Sequence, residues 1–89
     1  MSTVLVEDDA ATRAYLFDAL QRCAALLPVF IAENVASGMI ALQKHHPKLL
    51  LVDLGLPDGE GTQLISYAAR MTPRPEVLVI SALGDETHV

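Results

Sequence analysis

The chain has 89 residues, of which 52% are hydrophobic and 19% charged, a composition that predicts one folded domain and excludes a disordered segment. A net charge of -5 with only six Lys and Arg residues excludes direct binding of nucleic acid as the main function, because phosphate backbones are bound by clustered cations. One cysteine excludes an internal disulfide, and no apolar run approaches the roughly 20 residues of a membrane span. We therefore expect a soluble cytoplasmic protein without membrane contact.

Four aliphatic runs predict four β-strands. Each run is bounded by acids, prolines or other turn residues. The run LLLV shows no alternation of polar and apolar residues, which is the pattern of a strand buried on both faces, so we expect it at the centre of the sheet. In chain order the predicted strands cover residues 3–6, 29–32, 49–52 and 77–80.

Apolar residues at helical spacing fill the intervals between these strands. The first predicted helix continues to Pro28 and includes Cys23 as a small buried residue. Asn34 predicts the cap of a second helix over residues 35–45, and a third helix is predicted over residues 62–71. The alternation of strand and helix with short links indicates right-handed crossovers and a parallel sheet.

Acidic residues are concentrated beyond the carboxyl ends of the predicted strands. Because these ends meet at one edge of a parallel sheet, where open α/β sheets bind their ligands, the acids are expected to converge there. Their mutual repulsion must then be relieved by protonation or by a bound cation. Nine of the eleven acids fall in this set: Glu7, Asp8, Asp9, Glu33, Asp53, Asp58, Glu60, Asp85 and Glu86.

Three of these carboxylates suit a magnesium ion. Mg²⁺ prefers octahedral oxygen coordination, commonly by one or two carboxylates with waters and phosphate oxygens, and Glu7, Asp8 and Asp53 offer such ligands. Asp53 is also a candidate nucleophile that accepts a phosphoryl group. Ser81, at the end of the fourth predicted strand, is then placed to hydrogen-bond a phosphate oxygen.

Other polar residues have a plainer interpretation. Arg13, near the start of the first predicted helix, is expected to be solvated or paired with an acid. Asp85 and Glu86 either line the mouth of the pocket or belong to a frayed chain end. Three further acids are expected to be ordinary solvated loop residues: Glu33, Asp58 and Glu60.

In these motifs the sequence resembles the receiver domain of two-component response regulators. The resemblance covers nearly the whole chain and rests on VLVEDD, LLLVDLGLPDGEG and VLVISA at the first, third and fourth predicted strands. It implies a flavodoxin-like, doubly wound α/β fold with strand order 2-1-3-4 and three helices, the fifth strand being missing. Residues 1–89 would then form a receiver domain that is incomplete at its carboxyl end.

The resemblance also implies roles for individual residues. Asp53 matches the phosphoacceptor, Asp8 and Glu7 match the acidic pair that holds Mg²⁺, and Gly55 would add its backbone carbonyl as a further metal ligand. Ser81 matches the hydroxyl residue that turns toward the phosphoryl group on activation. The residues that match the shape of the pocket are Pro57, Gly61 and Ala82.

One residue of the family pattern is absent from this sequence. Receivers carry a lysine at the end of a fifth strand, where its ammonium pairs with phosphoryl oxygens. The lysines of this chain, Lys44 and Lys48, are expected at the opposite edge of the sheet. Without the last strand the fourth strand becomes an uncovered edge, so we expect a marginal fold or a homodimer or swapped oligomer formed through that edge.

The resemblance implies a phosphoacceptor domain of signal transduction that is not an enzyme, although it could catalyse its own phosphoryl transfer and the hydrolysis of its acyl phosphate. A histidine kinase or phosphotransfer protein would phosphorylate Asp53 with Mg²⁺, and the parent protein would carry a DNA-binding output domain. The alternative is a pseudo-receiver, or a truncated interaction or dimerisation module, that is not phosphorylated. A Rossmann-type nucleotide site is disfavoured because acids replace its glycine-rich turn, and an Asp-nucleophile phosphatase because Gly55 replaces its second Asp.

Overall fold

A computed structural model of the chain describes residues 2–80, and its main feature is a four-stranded parallel sheet with helices on both faces. In chain order the strands are β1 (Thr3–Val6), β2 (Val29–Ala32), β3 (Leu49–Asp53), β4 (Gly55–Leu56), β5 (Gly59–Glu60) and β6 (Glu76–Ile80). The sheet order is β2-β1-β3-β6, which confirms the predicted order of the four main strands. A separate antiparallel pair, β4 with β5, lies in the loop after β3.

Three α-helices connect the strands of the described residues: α1 (Ala10–Gln21), α2 (Val35–His45) and α3 (Thr62–Ala69). The bounds of α2 agree with the prediction, and the Asn34 side chain accepts a hydrogen bond from the Ser37 backbone N–H at 2.8 Å in a capping box. The third helix is shorter than predicted and ends at Ala69. No helix within residues 2–80 is long and apolar enough to cross a membrane.

The prediction that the first helix continues to Pro28 is wrong. α1 ends at Gln21, and a 3₁₀ helix (Ala24–Leu26) follows. Cys23 links the two with extended backbone angles (φ -115°, ψ 107°) and is exposed, which corrects the prediction of a buried cysteine. Because the backbone is extended at Cys23, the side chain does not continue the apolar face of α1, and helical spacing does not predict its direction.

The core follows the period of two along the central strands. Val4 and Val6 of β1 pack on the face covered by α2 and α3, whereas Leu5 between them packs on the face covered by α1. β3 repeats the pattern with Leu51 on the α1 face. Both central strands are therefore buried on both sides, as predicted for the LLLV run, and their ends are held rigidly.

β6 lies at one border of the sheet within the described part of the chain. Its side chains Leu78 and Val79 are 56% and 49% exposed, although they point to opposite faces. β6 contributes no fully buried residue, whereas β1 and β3 contribute three buried apolar residues each. Association through this border stays a prediction.

Candidate functional site

The carboxyl ends of β1 and β3 bring three acids together. Val6 pairs with Val52 in the parallel register, so the next residues lie side by side: Glu7 just after β1 and Asp53 at the last position of β3. One carboxylate oxygen from each of Glu7, Asp8 and Asp53 lies within 4.8 Å of the others. This juxtaposition follows directly from two aliphatic strands that pair in parallel and end at the same level.

Burial differs sharply among the three acids. Glu7 is only 3% exposed, Asp53 is half-buried and Asp8 is exposed. Burial raises the pKa of Glu7 above its usual value, and the nearby carboxyl groups of Asp53 and Asp8 add to the rise. A hydrogen bond from the Asp9 backbone N–H to Glu7 Oε2, at 3.0 Å, opposes this pKa shift.

These residues fit a divalent cation. A buried carboxyl group with a raised pKa beside two further carboxylates is a place where added positive charge relieves both desolvation and repulsion. All three donors are hard oxygens, the kind that Mg²⁺ prefers. Glu7, Asp8 and Asp53 would hold such an ion.

Asp9 has a different role from the acids beside it. Its Oδ2 accepts a hydrogen bond from the Thr12 backbone N–H at 2.8 Å and caps the amino end of α1. Hydrogen bonding from Thr12 holds the pKa of Asp9 below its usual value. The run of three acids thus divides into a pair that faces Asp53 and a helix cap.

Arg13 links three segments around the acids. Its Nη1 donates to the backbone carbonyl oxygens of Glu7 and Asp8, at 2.9 Å and 3.3 Å. Its Nη2 lies 3.9 Å from Glu33 Oε2, beyond the end of β2. Pairing of Arg13 with an acid was one of the two outcomes expected from the sequence, but neither carbonyl contact has a local sequence signal.

The loop after β3 approaches the backbone of Asp53 at Gly61. A Cβ at this position would overlap the Asp53 carbonyl oxygen and lie 2.9 Å from Val52 Cγ2, so only glycine fits. The Gly61 N–H donates to the Leu54 carbonyl at 2.8 Å and closes the loop. Gly55 and Pro57, the other two predicted loop residues, are both exposed, and the Gly55 N–H donates to Asp53 Oδ1 at 3.3 Å.

Asp58 is a structural residue that the sequence did not reveal. Its Oδ1 and Oδ2 accept hydrogen bonds from the backbone N–H groups of Val35 and Ala36, at 2.7 Å and 3.0 Å. Its side chain is exposed, as expected of a loop acid, but the carboxylate also has this structural role, which the sequence did not indicate. The donors precede Asp58 by 23 and 22 residues, so no local pattern could have indicated them.

Some predicted residues lie outside the described range of 2–80: Ser81, Ala82, Asp85 and Glu86. Lys44 and Lys48 are where the sequence indicated, near the end of α2 and immediately before β3. Both are at the amino end of β3, opposite the acids at its carboxyl end.

Comparison with known proteins identifies the family. The sequence model of the response regulator receiver domain matches residues 3–89. The KDP operon transcriptional regulatory protein KdpE of Escherichia coli is 35% identical over 86 residues, which cover 97% of this chain and 37% of that protein. The transcriptional regulatory protein KdpE of Staphylococcus aureus is 36% identical, with coverage of 97% and 36%.

A solved structure agrees with the sequence matches. The response regulator receiver domain protein (CheY-like) from Methanospirillum hungatei has a TM-score of 0.80 and 25% identity, over 97% of this chain and 70% of that one. The chain belongs to the response regulator receiver domain family. Receiver domains are signalling domains of two-component systems. This chain spans little more than a third of the length of the two KdpE proteins that it matches.

Proposed function

We propose that this receiver domain accepts a phosphoryl group on the Asp53 carboxylate, with Mg²⁺ held by Glu7, Asp8, Asp53 and the Gly55 carbonyl. The observation that supports this proposal most is the approach of three carboxylate oxygens, from the ends of two adjacent strands, to within 4.8 Å. A histidine kinase or phosphotransfer protein would be the donor. A bound Mg²⁺ would neutralise charge that otherwise repels the incoming phosphoryl group.

In this proposal Asp53 is the nucleophile and its neighbours orient it. A carboxylate oxygen of Asp53 attacks phosphorus, an acyl phosphate bond forms, and the bond from phosphorus to the histidine nitrogen of the donor breaks. Asp53 is half-buried and therefore remains open to a donor on one side. Its carbonyl packs against Gly61, which fixes the backbone from which the carboxylate projects.

For the remaining site residues, the proposed roles follow from the pattern of the receiver family. Ser81 would hydrogen-bond the phosphoryl group and act in the switch, and Ala82 would leave room for the phosphate beside it. Pro57 would shape the loop together with Gly61, whose contact with the Asp53 backbone supports its role. Phosphorylation would then shift a two-state equilibrium of the domain.

The proposal extends to the parent protein. Two relatives that share more than a third of their aligned residues with this chain are transcriptional regulatory proteins, so we include a DNA-binding output domain in the parent. We also propose that the protein acts in the cytoplasm. Finally, we propose that it self-associates through β6, and the exposure of Leu78 and Val79 supports this.

Intact-mass spectrometry after incubation with acetyl phosphate and Mg²⁺ tests the function. We expect wild type to gain the mass of one phosphoryl group, and Asp53→Asn to gain none, because the amide is not a nucleophile for phosphorus. Asp18→Asn is the matched control, since Asp18 lies near the carboxyl end of α1, away from the site, and pairs there with Arg22. A gain that survives in Asp53→Asn would contradict the assignment of Asp53, and no gain in wild type would favour the pseudo-receiver.

A further inference from the structure

We propose that Arg13 is a positioning residue that fixes the turn from Glu7 to Asp9 and thereby presents the Glu7 and Asp8 carboxylates to a divalent cation. The cation is that of the proposed function, on which this inference rests. Arg13 contributes no ligand of its own, because a guanidinium has no acceptor atom. Its effect would pass through the backbone of the two acids.

The contacts of Arg13 place it at the centre of this turn. Nη1 is shared between the carbonyl oxygens of Glu7 and Asp8, so one side chain holds two consecutive peptide groups. The Arg13 side chain is 19% exposed, whereas that of Arg22, the residue that follows the last turn of the same helix, is 77% exposed. Arg13 is therefore packed into the site, and α1 supplies the rigid base from which it reaches back to the end of β1.

The far side of the guanidinium faces an acid. Nη2 lies 3.9 Å from the exposed Glu33 carboxylate, an ion pair without a hydrogen bond, so Arg13 lies between the end of β1 and the segment after β2. A planar guanidinium presents its donors in a fixed fork and can serve both sides at once. A lysine at this position has a single ammonium on a flexible stem and cannot reproduce the arrangement.

Two physical roles for Arg13 predict opposite changes in cation affinity when the side chain is removed. If its charge acted only through Coulomb's law, its removal would make the site more negative and strengthen the binding of a cation. If Arg13 holds the turn, its removal lets Glu7 and Asp8 leave the arrangement in which their carboxylates meet Asp53, and cation binding weakens. Partial neutralisation of Arg13 by Glu33 reduces the Coulomb effect and leaves the positional one.

Isothermal titration calorimetry with MgCl₂ separates these roles. We expect Arg13→Gln to weaken Mg²⁺ binding about tenfold, in the range seen for residues that orient metal ligands. Arg13→Lys keeps the charge but not the fork and should also bind more weakly than wild type. Arg22→Gln removes the same charge from the other end of α1, where Arg22 pairs with Asp18 at 2.8 Å, and should bind as wild type does.

Amide hydrogen exchange of the metal-free proteins gives a second measurement. The Asp9 N–H donates to Glu7 Oε2, so its exchange reports the order of the turn, and it should accelerate in Arg13→Gln but not in Arg22→Gln. Unchanged or tighter Mg²⁺ binding by Arg13→Gln, or unchanged exchange of Asp9, would overturn the inference. Failure of wild type to bind Mg²⁺ would instead contradict the proposed function, and the exchange of Asp9 would still decide the role of Arg13.

Discussion

Two features of Glu7 disfavour its charged form in the absence of a cation. It is buried at the end of a central strand, and two other carboxyl groups lie beside it. Its pKa is raised above the ordinary value of 4.5, so the folded chain holds a proton on Glu7 more tightly than the unfolded chain does. The stability that this proton contributes is complete below pH 4.5 and is lost as the pH rises through the raised pKa of Glu7.

Replacement of Glu7 by Gln should therefore separate stability from metal binding. We expect Glu7→Gln to unfold at higher urea concentration than wild type at neutral pH without metal, because the neutral amide avoids burying a charge. The same variant should bind Mg²⁺ more weakly than wild type. Urea unfolding followed by circular dichroism, with calorimetric titration of MgCl₂, measures both effects.

A control lies at the opposite edge of the sheet. Glu76 begins β6 and is exposed, so Glu76→Gln should change neither property. In wild type the affinity for Mg²⁺ should increase as the pH rises through the raised pKa of Glu7, with proton release on binding. A wild-type affinity that is independent of pH across this range would contradict the role given to Glu7.

Individual site residues were predictable where strand geometry alone decides their position. Glu7 and Asp53 follow aliphatic runs of similar length, and parallel pairing places them side by side. Arg13 and Asp58 were not identified as structural residues, because their partners include backbone groups that only the folded chain brings near. The sequence shows which side chains carry charge, but not which peptide groups they meet.

Among the elements, α2 was predicted with its bounds because both of its ends carry local signals. Asn34 precedes it, and Pro47 follows its last residues. α1 has no such stop signal after Gln21, and the apolar residues of the 3₁₀ helix continue its spacing. Periodicity therefore located the helix but misplaced its end.

The amino end of α2 is also the point at which the loop after β3 is attached. All four backbone N–H groups that lack a partner within the helix are satisfied, and Asp58 accepts two of them. The other two belong to Asn34 and Ser37 and are satisfied within the capping box. Asp58 therefore connects the loop that carries Gly55 and Gly61 to a helix that packs on β1 and β2.

Removal of this attachment should destabilise the domain. Asp58→Ala leaves the N–H groups of Val35 and Ala36 without their side-chain acceptor, so we expect it to unfold at lower urea concentration than wild type. Asp58→Asn retains one carbonyl oxygen and should fall between the two. Glu60→Ala is the control, because Glu60 is an exposed acid of the same loop.

The destabilisation caused by Asp58→Ala should decrease as the pH falls. Hydrogen bonds from Val35 and Ala36 hold the pKa of Asp58 below its ordinary value of 3.8, so its contribution to stability is present above pH 3.8 and is lost as the pH falls through the lowered pKa. The difference in unfolding midpoint between wild type and Asp58→Ala should therefore shrink in acid. A difference that stays constant down to strongly acidic pH would show that the carboxylate is not the cause.

At the scale of the whole molecule, charge is segregated along the direction of the strands. In the described part of the chain, Asp18 and Glu76 are the acids away from the carboxyl edge of the sheet. This distribution was predictable, because aliphatic strands position the loops that follow them. Self-repulsion at one edge opposes compactness, so an ion that binds there should stabilise the fold as a whole.

We therefore expect Mg²⁺ to raise the stability of wild type. Binding to the folded state alone adds ~1.4 kcal/mol to the free energy of unfolding when free Mg²⁺ is tenfold above its dissociation constant. Urea unfolding with and without MgCl₂ measures this increment. Asp8→Asn should lose most of it, because the variant lacks a carboxylate of the cluster while the packing of β1 is untouched.

Screening of surface charge is the competing explanation, and it predicts a different pattern. NaCl at matched ionic strength screens the acidic edge as MgCl₂ does but has no site among the three carboxylates. If the cluster binds the ion, MgCl₂ raises the free energy of unfolding of wild type more than NaCl does, and most of this difference disappears in Asp8→Asn. Equal stabilisation of wild type by the two salts would mean that the acids of this edge act only as a diffuse negative surface, and the metal site proposed for Glu7, Asp8 and Asp53 would be wrong.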